Sequence, residues 1–138
     1  MLKNISPLIS PDLLKCLAEM GHGDELCIAD GNYPCSSMNE KVIRLDGQNI
    51  PELLEAILFI FPLDNESEFN VILMDNERER KPLVWKKYIE ALSSSNERYK
   101  VDYLERFTFY KRSRKCYAII ATGEKSLFAN IILKKGVV

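Results

Sequence analysis

Histidine is almost missing from this chain: among 138 residues there is one, His22. Four cysteines stand at 16, 27, 35 and 116, and no two of them form a CxxC pair. One imidazole and no paired thiols leave a zinc centre short of ligands, so no metal is expected. Three of the four cysteines lie in or beside apolar segments, where a free thiol behaves as a small hydrophobe. That is reduced, cytoplasmic usage rather than a disulfide framework. Long apolar runs are absent too: nothing reaches the ~18 residues that suggest a membrane span. The opening MLKNISPLIS has no long apolar core and no cleavage pattern, so no signal peptide is expected. Nor is there a surplus of charge. Nineteen basic residues face 20 acidic ones, for a formal net charge of −1, and nothing suggests a nucleic-acid partner. The familiar nucleotide loops G-x-G-x-x-G and G-x-x-x-x-G-K-[ST] do not occur, and neither does the G-x-S-x-G hydrolase elbow.

What remains is enough for a core. Hydrophobic residues make up 46% of the chain, and the length fits one domain spanning residues 1–138. Ser10-Pro11-Asp12 reads as a helix start: a capping hydroxyl, a proline at the first turn and a carboxylate at the positive end of the dipole. Leu13, Leu14, Leu17 and Met20 then recur at helical spacing, and Gly21 is placed as the stop. Residues 26–29 predict a buried strand and residues 42–45 a shorter one. Asn49-Ile50-Pro51-Glu52 opens a second helix with the stripe Leu53, Leu54, Ile57, Leu58 and Phe61, ended by Pro62. Residues 69–74 predict a strand, and the charged stretch 75–82 a solvated loop. Val84, Trp85, Tyr88, Ile89 and Leu92 mark a third helix. Strands are expected over 99–104, 116–122 and 128–133, with a short helix over 105–114. Alternating helices and near-continuous apolar strands predict an α/β fold: one three-layer α/β/α domain with a mixed, mostly parallel sheet.

The most unusual stretch is MGHGDELCIADGNYP, residues 20–34. It sets a titratable ring between two glycines before a strand, and a carboxylate, Asp30, directly after that strand. Ligands of open α/β sheets bind beyond the carboxyl ends of strands, where Asp30 is expected. Unperturbed histidine titrates near pH ~6.5, so His22 can take and give a proton at neutral pH. A nearby carboxylate would fix its tautomer or hold a ligand hydroxyl. The plainer alternative is a Gly-rich turn with a polar tip. Arg106 offers a planar donor fork to a polar ligand; its alternative is a surface ion pair with Glu105 or Asp102. Phe107, Phe109 and Tyr110 fit a sugar pocket or plain core packing. Asn130 carries a donor and an acceptor for a sugar hydroxyl, while Lys134 and Lys135 are expected only to solvate the strand end. Cys35 as a thiol nucleophile would have His22 alone as its base, and a half-buried structural cysteine is the better reading.

Several separated blocks resemble the bacterial D-ribose pyranase/L-fucose mutarotase family, nearly end to end and in order. They are LKNISPLISPDLLKCLAEMGHGDE, ADGNYP, IRLDGQNIPELLEAI, LERFTFYKRSRKCYAIIATGE and NIILKKG; residues 64–100 match least. The resemblance implies an isomerase without cofactor that interconverts the anomers of a reducing sugar. It implies a catalytic histidine at His22, substrate binding by Asp30 and by Arg106, and a substrate-binding tripeptide at Phe128, Ala129 and Asn130. The family carries tyrosine at the first tripeptide position, so Phe128 lacks a phenol hydroxyl, and Tyr33 or Tyr110 would have to replace it in any proton transfer. Ring-shaped homo-oligomers, decamers among them, with sites near subunit contacts are also implied. LERFTFYKRSRK and MGHGDE resemble the fucose type, so L-fucose is the expected substrate. Pyranose/furanose exchange of D-ribose, and a non-catalytic sugar-binding or transport-accessory role, are the alternatives. The chemistry suits one imidazole: mutarotation runs slowly in water, and acid/base help of about 10²–10⁴-fold suffices.

Overall fold

The computed structural model describes residues 1–77 and 81–138. Its elements run α1 (Pro11–Glu19), β1 (Glu25–Ala29), α2 (Cys35–Met38), β2 (Val42–Leu45), α3 (Ile50–Leu58), β3 (Val71–Met74), α4 (Leu83–Ser94), β4 (Val101–Leu104), α5 (Arg106–Arg114), β5 (Ala118–Thr122) and β6 (Ile131–Lys134). The six strands form one sheet in the order β2-β5-β1-β6-β3-β4. β6 runs antiparallel to both β1 and β3, and the other pairings are parallel. The mixed, mostly parallel sheet is the one expected. The expected loop over 75–82 falls partly on residues 78–80, outside the described residues; residues 75–77 and 81–82 carry neither helix nor strand.

Alternation along the strands sorts the core into two faces. Leu26, Ile28, Val71, Leu73, Ile120, Ile131 and Leu133 pack with the apolar stripes of α1, α3 and α4. Cys27, Ala29, Ile72, Met74, Ile119 and Ile132 face the other way, against Cys35 of α2 and Phe109 of α5. The result is three layers with unequal cover: three helices on one face, and on the other α5 and the single-turn α2. β1, β5 and β6 are buried almost throughout, which is why their sequences run apolar without a polar alternation.

Helix ends differ in part from the sequence expectation. Ser10 caps α1 as foreseen, its hydroxyl accepting from the Leu13 N–H. The helix ends at Glu19 with Met20 as its C-cap, so Gly21 stands just past the end as expected, and the Lys135 ammonium donates to the Leu17 and Met20 carbonyls there at 2.7 and 2.6 Å. Lys135 therefore does more than solvate a strand end: it satisfies carbonyls that the helix itself leaves without partners, at the negative end of the dipole. Asn49 stands at the N-cap of α3 but makes no side-chain cap. The Glu124 carboxylate accepts from the Ile50 N–H there instead, at 3.0 Å. α5 begins at Arg106, with Glu105 as its capping carboxylate.

Candidate functional site

The expected residues fall at two opposite ends of the sheet. His22 lies in the turn that enters β1, and Asp30 directly follows the last residue of β1. The five-residue strand between them spans about 16 Å at ~3.3 Å per residue. Asp30 is thus not the carboxylate beside His22, contrary to one reading of the sequence. That partner is Asp64, 42 residues away in the loop before β3: its Oδ1 lies 3.1 Å from His22 Nε2.

Around His22 the chain is tightly tied. Asp24 accepts from the Gly21 N–H through Oδ2 at 2.7 Å, and Gly23 adopts φ +87°, a conformation that favours glycine. The His22 side chain is 49% exposed and the Asp64 side chain 5%. Asp64 also accepts from the Glu66 N–H at 3.1 Å and from the Ser67 hydroxyl. These donors, the Ser67 hydroxyl first, hold its carboxyl down at about 2 against burial, which works the other way. A carboxylate can only accept, so the neutral imidazole carries its proton on Nε2 and leaves Nδ1 as the free base. No periodicity in the sequence announces Asp64. The available signal is local: Asp64-Asn65-Glu66-Ser67 has the residue types of a turn in which a carboxylate collects nearby donors.

At the other end the strand termini converge. Asp30 is buried, its backbone N–H donates to Asn130 Oδ1 at 2.8 Å, and its own Oδ1 accepts from the Asn32 N–H at 2.9 Å. Burial pushes its carboxyl above the ordinary range, against the pull of the surrounding donors. Asn130 is itself 1% exposed, so its carbonyl positions Asp30 and only its amide NH₂, which faces the Met74 sulfur at 3.9 Å, is left for another partner. The Phe128 carbonyl accepts from Trp85 Nε1 at 2.8 Å and the Ala129 carbonyl from the Tyr88 hydroxyl at 2.6 Å. The tripeptide is therefore pinned by its backbone onto α4. Phe128 has φ +55°, a left-handed conformation unusual for a side chain of this size.

Arg106 opens α5 at the same end of the sheet. Among the described residues no carboxylate pairs with it. Its Nε donates to the Tyr110 hydroxyl at 3.3 Å, and its guanidinium lies 5.5 Å from the Phe107 and Tyr110 ring centroids. The expected aromatic trio divides. Phe109 is fully buried core, Phe107 is exposed, and Tyr110 packs edge-on against Tyr33. A cavity of about 190 Å³ opens at Asp30, with Tyr33, Cys35, Arg44 and Thr122 in its wall. A second, of about 370 Å³, lies beside Phe128 and Asn76. The Cys35 thiol is buried and pushed up to about 11 by desolvation, which removes it as a nucleophile. Among the described residues no cluster of His, Cys, Asp and Glu has the makings of a metal site.

A curated relative from Mus musculus named fucose mutarotase is 45% identical over 143 residues, which is 98% of this chain and 94% of the relative. A fucose mutarotase from Danio rerio is 43% identical over 145 residues, 100% of this chain and 95% of the relative. The crystal structure of the fucose mutarotase from Streptococcus pneumoniae in complex with L-fucose has a TM-score of 0.95 at 51% identity, covering 99% of each chain. Residues 3–138 match the RbsD / FucU transport protein family, and the chain belongs to that family.

Proposed function

We propose that this chain is an isomerase that interconverts the α and β anomers of L-fucose without a cofactor. The observation that carries the reading is the half-exposed His22, whose Nε2 is committed to Asp64 and whose Nδ1 has no partner among the described residues. It sits in a chain 51% identical, over 99% of its length, to a fucose mutarotase that binds L-fucose.

In this reading Nδ1 takes the proton of the anomeric hydroxyl as the bond from C1 to the ring oxygen breaks. The imidazolium, stabilised by the Asp64 carboxylate, gives that proton to the ring oxygen. The open-chain aldehyde turns about C1–C2 and closes on the other face by the reverse transfers. One imidazole balances every proton. The sugar hydroxyls are held by Asp30, Arg106 and the Phe128–Ala129–Asn130 segment, with the tripeptide serving partly by fixing Asp30.

A monosaccharide cannot bridge the length of β1, so the two ends must come from different copies of the chain. The His22 end of one copy meets the Asp30 end of the next. Such head-to-tail contact joins unlike surfaces, and it closes into a ring when the rotation permits; a decamer is the form the family resemblance implies. The four free, buried cysteines fit a reducing compartment such as the cytoplasm.

NMR magnetisation exchange between the anomer signals of L-fucose, with catalytic amounts of protein and D-ribose in parallel, tests the reading. Faster exchange for fucose supports it. Acceleration confined to ribose would point to a pyranase, and saturable binding without acceleration to a sugar-binding protein.

A further inference from the structure

The acid/base pair is assembled across a third segment, residues 134–136, which the mechanism does not use. On one edge of this segment the Gly23 N–H donates to the Lys135 carbonyl at 2.8 Å, and the Lys135 N–H to the Asp24 carbonyl at 2.8 Å. Residues 23 and 24, directly after His22, are thereby tied to it. On the other edge the Asp64 N–H donates to the Lys134 carbonyl at 3.0 Å, and the Gly136 N–H to the Pro62 carbonyl at 2.8 Å. Leu63 and Lys135 form an antiparallel bridge between these bonds. The His22 turn and the Asp64 loop therefore lie on opposite edges of one strand end, and its register sets their separation.

Two positions in the segment lock that arrangement. Gly136 does so by having no side chain. A Cβ there would collide with the Leu63 carbonyl and stand 2.9 Å from the Asp64 Cα. Its φ is not in the left-handed region, so glycine is needed for space and not for conformation. Lys135 does so from the other side. Its ammonium donates to the Leu17 and Met20 carbonyls, which anchors the end of α1 two residues before His22. No carboxylate competes for this ammonium among the described residues.

We propose that Lys135 and Gly136 are positioning residues that set the alignment of the His22 imidazole with the Asp64 carboxylate, and so keep the imidazole in its Nε2–H tautomer. Neither is placed against the sugar. The inference rests on the role given to His22 above, and its test must separate the two.

Lys135→Met keeps the aliphatic stem and removes the donors, Lys135→Arg keeps donors, and Gly136→Ala pushes the Asp64 loop away. Each is compared with the unaltered protein in two measurements. The first is saturation kinetics of L-fucose anomer exchange. Misplacement by an ångström costs on the order of 10²-fold in rate. A kcat loss of roughly 10- to 100-fold at nearly unchanged KM is therefore expected for Lys135→Met and Gly136→Ala, with much of the rate kept by Lys135→Arg. The second is the long-range ¹H–¹⁵N spectrum of the imidazole, which needs no assignment because the chain has one histidine. Nε2 is expected to be the protonated nitrogen in the unaltered protein and in Lys135→Arg, and the tautomers to mix in the other two. Unchanged imidazole spectra in folded Lys135→Met and Gly136→Ala overturn the proposal, as does a loss that falls on KM or on thermal stability alone. Should Gly136→Ala not fold, Lys135→Met decides. If the unaltered protein fails to accelerate exchange, the mutarotase reading falls, and the imidazole spectra still decide the positioning role.

Discussion

Replacing Asp64 by asparagine keeps the shape of the side chain and removes its charge. In the native protein the carboxylate accepts from the His22 imidazole, the Glu66 N–H and the Ser67 hydroxyl. Those bonds hold its carboxyl at about 2 against an ordinary 3.8. At about 1.4 kcal/mol per pH unit, the difference sets an upper bound of roughly 2.5 kcal/mol on what the ionised form adds to folding. Asp64 is only 3% exposed, but its partner His22 is half exposed, and water at that opening screens the charge. About 1–2 kcal/mol is the better expectation. The sign follows from the direction of the shift: with the folded value below the unfolded one, the contribution is complete above pH ~4 and is lost as pH falls through ~2. Urea unfolding at pH 7 and near pH 2 is the assay. Between those values the native protein should lose about 1–2 kcal/mol more than Asp64→Asn. Equal losses would refute the assignment of that shift to Asp64. At pH 7 the variant should also lose roughly 10- to 100-fold in kcat for L-fucose, because an amide no longer dictates the imidazole tautomer.

Two further outcomes test the rest of the site. Co-expressed His22→Ala and Asp30→Asn chains, each inactive alone, should recover about a quarter of the activity when randomly mixed, since that share of head-to-tail contacts pairs two intact halves; no recovery would place both residues in one copy's site. Tyr88→Phe removes the hydroxyl that donates to the Ala129 carbonyl inside the core. It should cost about 1–3 kcal/mol in urea unfolding and raise KM for L-fucose, as the segment that fixes Asp30 loosens.

The sequence carries these features unequally. Ser10-Pro11-Asp12 and the stripe through Leu53, Leu54 and Ile57 lie in plain view because caps and helical periods are local signals. So do the apolar runs of β1, β5 and β6, which burial on both faces demands. α2 is different: a single turn of four residues shows no period, and only the packing of Cys35 reveals it. Residues 20–34 present His22 and Asp30 as neighbours, although an extended strand between two residues drives them apart. Counting the rise of residues 25–29 would have foretold two ends of a sheet, and with them the need for a second copy. Asp64 was hidden for the opposite reason. Its bond to His22 depends on where β6 places two distant loops, and sequence proximity carries no trace of that. Lys135 likewise passes for a solvated lysine until the end of α1 is seen beneath it.

The central claim is that His22 performs the proton transfers of L-fucose mutarotation. Magnetisation exchange between the α and β signals of L-fucose, with the native protein beside folded His22→Ala, tests it most directly. The account predicts marked acceleration by the native protein and exchange at the rate of buffer with the variant. Full acceleration by His22→Ala would contradict it and move the chemistry to another group.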